Sequence, residues 1–215
     1  MDWNKNDYET PNKEAALMAK LVLPTDRKIL EPFAGTGQLV KALLANQSHK
    51  FDLITHEKNW LRFKKLIELK KHHDNLFCGH INFFGIESFT SNKFDLIITN
   101  PPFDYAMQGI KRSLVALNDK PESRLLFLLP LSFFSSQKRS KEFNQLDCHI
   151  SHQYIIPGRI DYLKDGVSMS KCQKEIDGVP QFKNGKPVMC SGRQVSDAVF
   201  EIKKGKNPDS PISFL

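Results

Sequence analysis

The chain has 215 residues, 40% of them hydrophobic and 26% charged, the balance of a globular protein long enough for one full core carrying at most a modest insertion. No run approaches the roughly 18 apolar residues of a membrane-spanning helix, and Met1-Asp2-Trp3-Asn4-Lys5-Asn6 lacks the basic segment and apolar stretch of a secretion signal, so the expected location is the cytoplasm. The net charge of +7 and the pI near 9.2 favour a phosphate-bearing partner and salt-sensitive binding.

Short apolar runs alternate with helical patterns along the chain. Lys28-Ile29-Leu30-Glu31 reads as a first strand, and a helix starting near Gly37 includes Lys41 to Ala45. Phe51 to Thr55 reads as a second strand. Asn59 to Lys71 reads as a helix with Trp60, Phe63 and Ile67 at helical spacing on one side. Leu76-Phe77-Cys78 reads as a third strand, and Phe94 to Thr99 as a fourth, buried on both faces. A helix from about Ala106 to Leu117, a strand over Leu125 to Leu129 and a helix over Ser135 to Asn144 follow. His152 to Ile156 and Ala198 to Ile202 read as the last two strands. This alternation implies an α/β fold, a seven-stranded, mostly parallel sheet with helices on both faces. In such sheets ligands bind outside the carboxyl ends of the strands, near the switch point.

Lys164 to Gln194 interrupts the alternation. The stretch is polar and turn-rich (Asp165-Gly166, Asp177-Gly178, Asn184-Gly185), and reads as an insertion between the last two strands, a small hairpin or a mobile loop. The expected organisation is one α/β domain of residues 1–163 plus 195–205, a small insertion over 164–194 and a flexible tail over 206–215. Lys164, Lys171, Lys174, Lys183, Lys186 and Arg193 outnumber the insertion's acids, so it can touch phosphates, which position a protein without specifying a base. Cys78, Cys148, Cys172 and Cys190 form no metal-binding spacing; no metal is expected, and the thiols read as free. The lysines and Arg62 of the 58–73 helix read as a solvated face, with a nucleic-acid stripe as the alternative.

Two stretches carry chemistry. Glu31-Pro32-Phe33-Ala34-Gly35-Thr36-Gly37 follows the first strand and opens a helix. Its glycines allow a sharp turn and a close ligand approach, and Glu57 ends the second strand 20 residues after Gly37, where a carboxylate can accept ribose hydroxyls. Val40 stands where a third dinucleotide-binding glycine would be, and no phosphate-cradling P-loop is present. A nucleoside without a pyrophosphate is therefore favoured over a nicotinamide dinucleotide. In the second stretch, a strand runs straight into Asn100-Pro101-Pro102-Phe103. The prolines stiffen the loop and remove two backbone donors. The Asn100 side-chain oxygen and the Pro101 carbonyl can each accept one N–H of an amino group, and Phe103 offers a face on which a heterocycle can stack. Arg159, after the His152–Ile156 strand, reads equally as a contact to a substrate backbone and as a turn residue.

On these residues the chain resembles the Rossmann-like, class I S-adenosylmethionine-dependent methyltransferases, and specifically those whose catalytic loop reads Asn-Pro-Pro-aromatic. It is most similar to small phage- or bacterial-type DNA adenine N6-methyltransferases. Asp7-Tyr8-Glu9-Thr10-Pro11 resembles their N-terminal motif, Glu31 to Gly37 their cofactor motif and Asn100 to Phe103 their catalytic motif. The resemblance implies S-adenosylmethionine as cofactor. It implies that Tyr8, Thr10 and Pro11 pack beside the methionine part, that Glu31 or a nearby backbone group binds the methionine amino group, and that Pro32 and Phe33 lie close to it. Gly35 and Gly37 would line the adenosine, Glu57 would hold the ribose, and Asn82 would stand where the family has an acid near the adenine. It implies Asn100, Pro101, Pro102 and Phe103 as the catalytic loop, Asn100 also touching the cofactor, with Phe103 and Arg159 meeting the substrate. The partner implied is nucleic acid, double-stranded DNA above RNA. The same loop serves RNA adenine or guanine amines and protein glutamine, and a silent binding subunit would keep the same fold. The short insertion leaves little room for a target-recognition domain, so specificity is expected to be weak or supplied by a partner protein.

Overall fold

The computed structural model describes residues 8–46, 49–85, 93–164, 167–171, 174–176, 179–189, 195–207 and 209–210. Asp7, Cys172, Cys190, Arg193, the turns Asp165-Gly166 and Asp177-Gly178 and residues 211–215 of the expected tail lie outside the described residues. The chain runs α1 (Asn12–Ala19), β1 (Lys28–Glu31), α2 (Gln38–Ala45), β2 (Asp52–Glu57), α3 (Trp60–Lys70), β3 (Leu76–His80), β4 (Leu96–Thr99) and α4 (Ala106–Ala116). It continues through β5 (Arg124–Pro130), α5 (Gln137–Asn144) and β6 (Cys148–Ile155). Then come the two-residue strands β7 (Leu163–Lys164), β8 (Val167–Ser168), β9 (Glu175–Ile176), β10 (Val179–Pro180), β11 (Phe182–Lys183) and β12 (Lys186–Pro187), and last β13 (Asp197–Lys204).

The described residues form the expected seven-stranded sheet, in the order β3-β2-β1-β4-β5-β13-β6. The first five strands pair parallel, and β13 lies antiparallel between β5 and β6. β4 and β5 are buried along their whole length, as strands covered on both faces must be. Alternate residues feed two cores. Ile29, Leu53, Leu96 and Ile98 pack with Met18, Leu39, Leu43 and Leu66 of α1–α3. Leu30, Ile97, Leu125 and Phe127 pack with Ile110 of α4 and Phe143 of α5. The strand order grows from β1 to β3 in one direction and from β4 to β5 in the other. Right-handed crossovers then put α2 and α3 on one face and α4 and α5 on the other, and the reversal leaves a crevice between β1 and β4 at their carboxyl ends.

Several elements depart from the sequence reading. α1 is additional; its buried residues are Ala15, Met18 and Ala19, too small and too few for a clear apolar stripe. β4 begins at Leu96, because Phe94 bridges Leu117 after α4 instead of continuing the strand; the Asp95 carboxylate between them accepts the backbone N–H groups of Arg27 and Lys28 and bonds Asn118 and Lys120. The aromatic side of α3 is not its core side: Leu66 is its buried residue, while Trp60 is 53% exposed and Phe63 and Ile67 are half-buried. Between β6 and β13 the described residues form short antiparallel pairs, β7–β8, β9–β10 and β11–β12, and reciprocal hydrogen bonds between Glu9 and Leu163 tie the start of this stretch to the N-terminal segment. Among the described residues no helix is long and apolar enough to cross a membrane.

Candidate functional site

The loops after β1, β2, β3 and β4 close around one cavity at the carboxyl ends of the strands. Its wall includes Glu31 to Thr36, Glu57, Ile81 to Phe84, Asn100 and Pro102, with Tyr8 to Thr10 across the front. Three strand spacings of about 4.8 Å separate β4 from β3, so the cavity is a slot on the order of 14 Å long.

Each wall is set by local chemistry. Glu31 ends β1 and is 1% exposed. Its Oε1 accepts the Phe33 N–H at 3.0 Å and the Thr99 hydroxyl at 2.5 Å, which joins the β1 loop to the end of β4. Lost hydration pushes the Glu31 carboxyl up to about 8, the Thr99 and Phe33 hydrogen bonds opposing and the Glu57 charge adding to the rise. Glu57 ends β2; its Oε2 accepts the Gly35 N–H at 2.8 Å and its Oε1 the Asn59 N–H at 2.6 Å. Gly35 has φ +56, which turns the backbone toward the carboxylate and keeps the approach open. Beyond β3, Asn82 Oδ1 accepts the Phe84 N–H at 3.1 Å, and Phe33, Phe83 and Phe84 form an aromatic cluster with centroids 5.3–6.0 Å apart.

Asn100 follows β4 directly. Its Nδ2 donates to the Tyr8 carbonyl at 3.0 Å. A carbonyl only accepts, so this contact dictates which way the amide faces. Asn100 Oδ1 is buried and has no hydrogen-bond partner among the described residues. The Pro102 carbonyl is taken by the Tyr105 N–H at 2.9 Å, which pins the loop into the turn that opens α4.

The cavity brings together Tyr8, Thr10, Glu31, Pro32, Phe33, Gly35, Glu57, Asn82, Asn100 and Pro102 of the sequence-predicted site. Five others lie off its wall. Pro11 is the N-cap of α1, its carbonyl accepting the Ala15 N–H. Pro101, within the catalytic-loop stretch, is buried. Phe103 is half-buried, its ring edge-on to Tyr162 at 6.2 Å. Arg159 is exposed. Gly37 faces α3: its φ is +89, and a Cβ there would stand 2.9 Å from both Leu66 Cδ2 and Leu69 Cδ1. Its conformation and the close approach of α3 explain the glycine without a ligand. Gly37→Ala is expected to cost about 2 kcal/mol of stability in denaturant unfolding, chiefly from the left-handed conformation. No change in unfolding midpoint would contradict that role.

Glu9 was not legible as a site residue. Its Oε2 accepts the Thr36 hydroxyl at 2.7 Å and its Oε1 lies 3.8 Å from Arg62 Nε. Glu9 therefore links the front segment to the β1 loop and to α3, while its backbone pairs with Leu163. Three buried carboxyls, Glu9, Glu31 and Glu57, give the slot an acidic lining suited to a ligand that carries positive charge and a diol. Among the described residues no group of three or more His, Cys, Asp or Glu could hold a metal ion.

No protein-family model matches the chain, and no curated protein is similar to it in sequence. Solved structures are similar in fold. A Pyrococcus horikoshii protein provisionally described as an RNA methyltransferase has a TM-score of 0.62 at 16% identity, over 96% of this chain and 91% of that one. An S-adenosylmethionine-dependent O-methyltransferase from Thermotoga maritima gives 0.58 at 13% identity, over 92% and 67%. The 23S rRNA methyltransferase ErmE gives 0.54 at 14% identity, over 96% and 72%. At these identities the likeness is one of architecture: the chain has the Rossmann-like fold of these methyltransferases.

Proposed function

We propose that the protein transfers a methyl group from S-adenosylmethionine to the exocyclic amine of adenine in DNA. The observation that carries the reading is Asn100 Oδ1 at the end of β4, buried, without a hydrogen-bond partner among the described residues and oriented by the Tyr8 carbonyl. A buried acceptor without a donor costs about 1–3 kcal/mol, and an incoming N–H removes that cost. The residues present fit the cofactor: the acidic slot suits an ammonium and a sulfonium, Glu57 suits a ribose diol, and Ile81 with Phe83 and Phe84 suits a planar base. When bound, S-adenosylmethionine supplies an electrophilic methyl group and leaves as a neutral thioether.

Asn100 Oδ1 and the Pro101 carbonyl each accept one hydrogen of the amine. Two acceptors draw the planar nitrogen toward tetrahedral geometry and free its lone pair for attack in line with the methyl group. The nitrogen–carbon bond forms as the carbon–sulfur bond breaks, and the proton then released by the nitrogen passes to solvent water. The work of the chain is orientation and electrostatics, with no covalent intermediate. Phe103 offers an aromatic face beside this loop for a base taken out of its stack. The exposed Lys171, Lys174, Lys183 and Lys186 of the insertion, with exposed Arg159, provide phosphate contacts that position the strand, so the insertion over 164–194 is the substrate-recognition element of this reading. The resemblance of the motif order to DNA adenine enzymes favours DNA. Label transferred from S-adenosylmethionine to DNA, with RNA in parallel, tests the reading.

Glu31 adds a pH signature. Its carboxyl, pushed up to about 8 in the free protein, is protonated at neutral pH. An ammonium bound beside it favours the charged form and lowers that pKa, so binding releases a proton. Cofactor affinity is expected to rise by up to about tenfold per pH unit from pH 6 toward pH 8 and then level off. Calorimetry in buffers of different ionisation heat should show the proton, and Glu31→Gln should flatten the slope. A pH-independent affinity in the parent protein would contradict this role for Glu31.

A further inference from the structure

The outer side of α3 carries a surface that the proposed reaction does not use. Trp60 is 53% exposed. Its ring centroid lies 5.7 Å from that of Phe63 and 5.2 Å from that of His80, and Phe63 and His80 stack at 5.2 Å with planes 28° apart. His80 ends the edge strand β3, and its Nε2 lies 2.9 Å from the Lys58 carbonyl oxygen, which holds the ring in place. Lys64 Nζ stands 5.4 Å from the Trp60 ring centre, and Lys65 beside it is exposed. Further along, Lys70 Nζ stands 6.0 Å from the ring of Phe77, itself 45% exposed.

A helix needs no aromatic rings on its solvent side; Leu66 already supplies its buried contact. Trp60 and His80 are exposed and Phe63 between them is half-buried; rings held in place in this way and interleaved with lysines are the equipment for stacking bases while neutralising their phosphates. The patch adjoins the slot, since Lys58 and Ile81 line the cavity wall, Trp60 stands two residues after Lys58 and His80 directly precedes Ile81. A second copy on this face would set lysines against lysines in a chain of net charge +7. Bases of a duplex have their faces covered by neighbouring pairs and cannot lie on the rings.

We infer that the α3–β3 face, built on Trp60, Phe63, His80 and Lys64, is a stacking platform for an unpaired nucleic-acid strand. Resting on the nucleic-acid reading of the site, this means that the substrate enters with unpaired bases beside the target.

The test is tryptophan fluorescence of the full chain carrying Trp3→Phe, which leaves Trp60 as the reporter, titrated with oligothymidine. Thymine has no exocyclic amine, so the outcome is independent of whether adenine is methylated. Trp60 emission should be quenched on binding, and a duplex of equal length should bind about tenfold more weakly. In anisotropy with labelled oligothymidine, Trp60→Ala and Phe63→Ala should each weaken binding by about tenfold without moving the unfolding midpoint. Lys64→Gln should reduce the salt dependence. The inference is overturned if oligothymidine does not bind, binds without changing Trp60 emission, binds the alanine variants equally well, or binds no better than duplex. It is also overturned if Trp60 emission follows protein concentration alone, the sign of a second copy on the face.

Discussion

Asn100→Ala is expected to lower the rate of methyl transfer by about a hundred- to a thousand-fold, the range for removing one preorganised polar group from a reacting centre. Asn100 has two tasks carried by two atoms. Nδ2 donates to the Tyr8 carbonyl, and Oδ1 stays buried without a partner among the described residues. Alanine removes the acceptor aimed at the amine and leaves the Tyr8 carbonyl without its donor. Cofactor affinity should fall by several-fold at most, because the Glu31 and Glu57 contacts to their loops do not involve Asn100. Asn100→Asp separates the two tasks. It keeps an acceptor but sets a carboxylate oxygen against the Tyr8 carbonyl, so the front segment should loosen and cofactor affinity should fall further than in the alanine variant. Single-turnover rates with saturating cofactor measure the first effect and equilibrium titration the second. Parental single-turnover rates in the alanine variant would remove Asn100 from the chemistry.

Asp26→Ala is expected to destabilise the fold by about 3–5 kcal/mol, the cost of leaving a buried charge unpaired. Arg124, at the start of β5, is 2% exposed, and Asp26, just before β1, is fully buried. The guanidinium donates to both carboxylate oxygens at 2.8 and 2.9 Å and to the Leu21 carbonyl at 2.8 Å, and its Nε lies 3.8 Å from Glu201. The fork geometry makes this an Arg-specific contact. The pair clamps the end of the sheet opposite the slot, so the loss should appear in stability and not in chemistry at low temperature. For a chain of this size the melting temperature should drop by about 10 °C. The double variant Asp26→Leu with Arg124→Met removes both charges together and should recover much of the loss. A drop under about 1 kcal/mol in Asp26→Ala would show that Glu201 alone satisfies the guanidinium.

The elements that surround the slot were legible because their signals are local. β1 and β4 are short apolar runs that end in Glu31-Pro32 and Asn100-Pro101, and glycine and proline mark the turns that end them. The acid at Glu57 followed from its place at the end of β2. What was not legible depends on partners distant in sequence. Glu9 acquires its place from Leu163, and Arg124 from Asp26, 98 residues earlier. Gly37 was legible as a required glycine, but the reason, the approach of Leu66 and Leu69, belongs to the packing of α3. On α3 itself two apolar stripes compete, Trp60-Phe63-Ile67 and Leu66-Leu69. The leucine stripe, compact enough to sit against the β1 loop and the sheet, takes the core side, with Leu66 buried and Leu69 packed against it, while Trp60 is left exposed and Phe63 half-buried. Periodicity alone does not choose between such stripes.

Transfer of tritiated methyl groups from S-adenosylmethionine to unmethylated DNA, with total RNA in parallel and nucleoside digestion and chromatography to follow, decides whether a nucleic-acid amine is the acceptor. Label is expected in N6-methyladenine of DNA and is expected to be lost in Asn100→Ala. Label in the amine of an RNA base would keep the role of Asn100 and change the substrate. Label on a ribose hydroxyl or a ring carbon, or on neither nucleic acid, would contradict an amine-directed site built on Asn100.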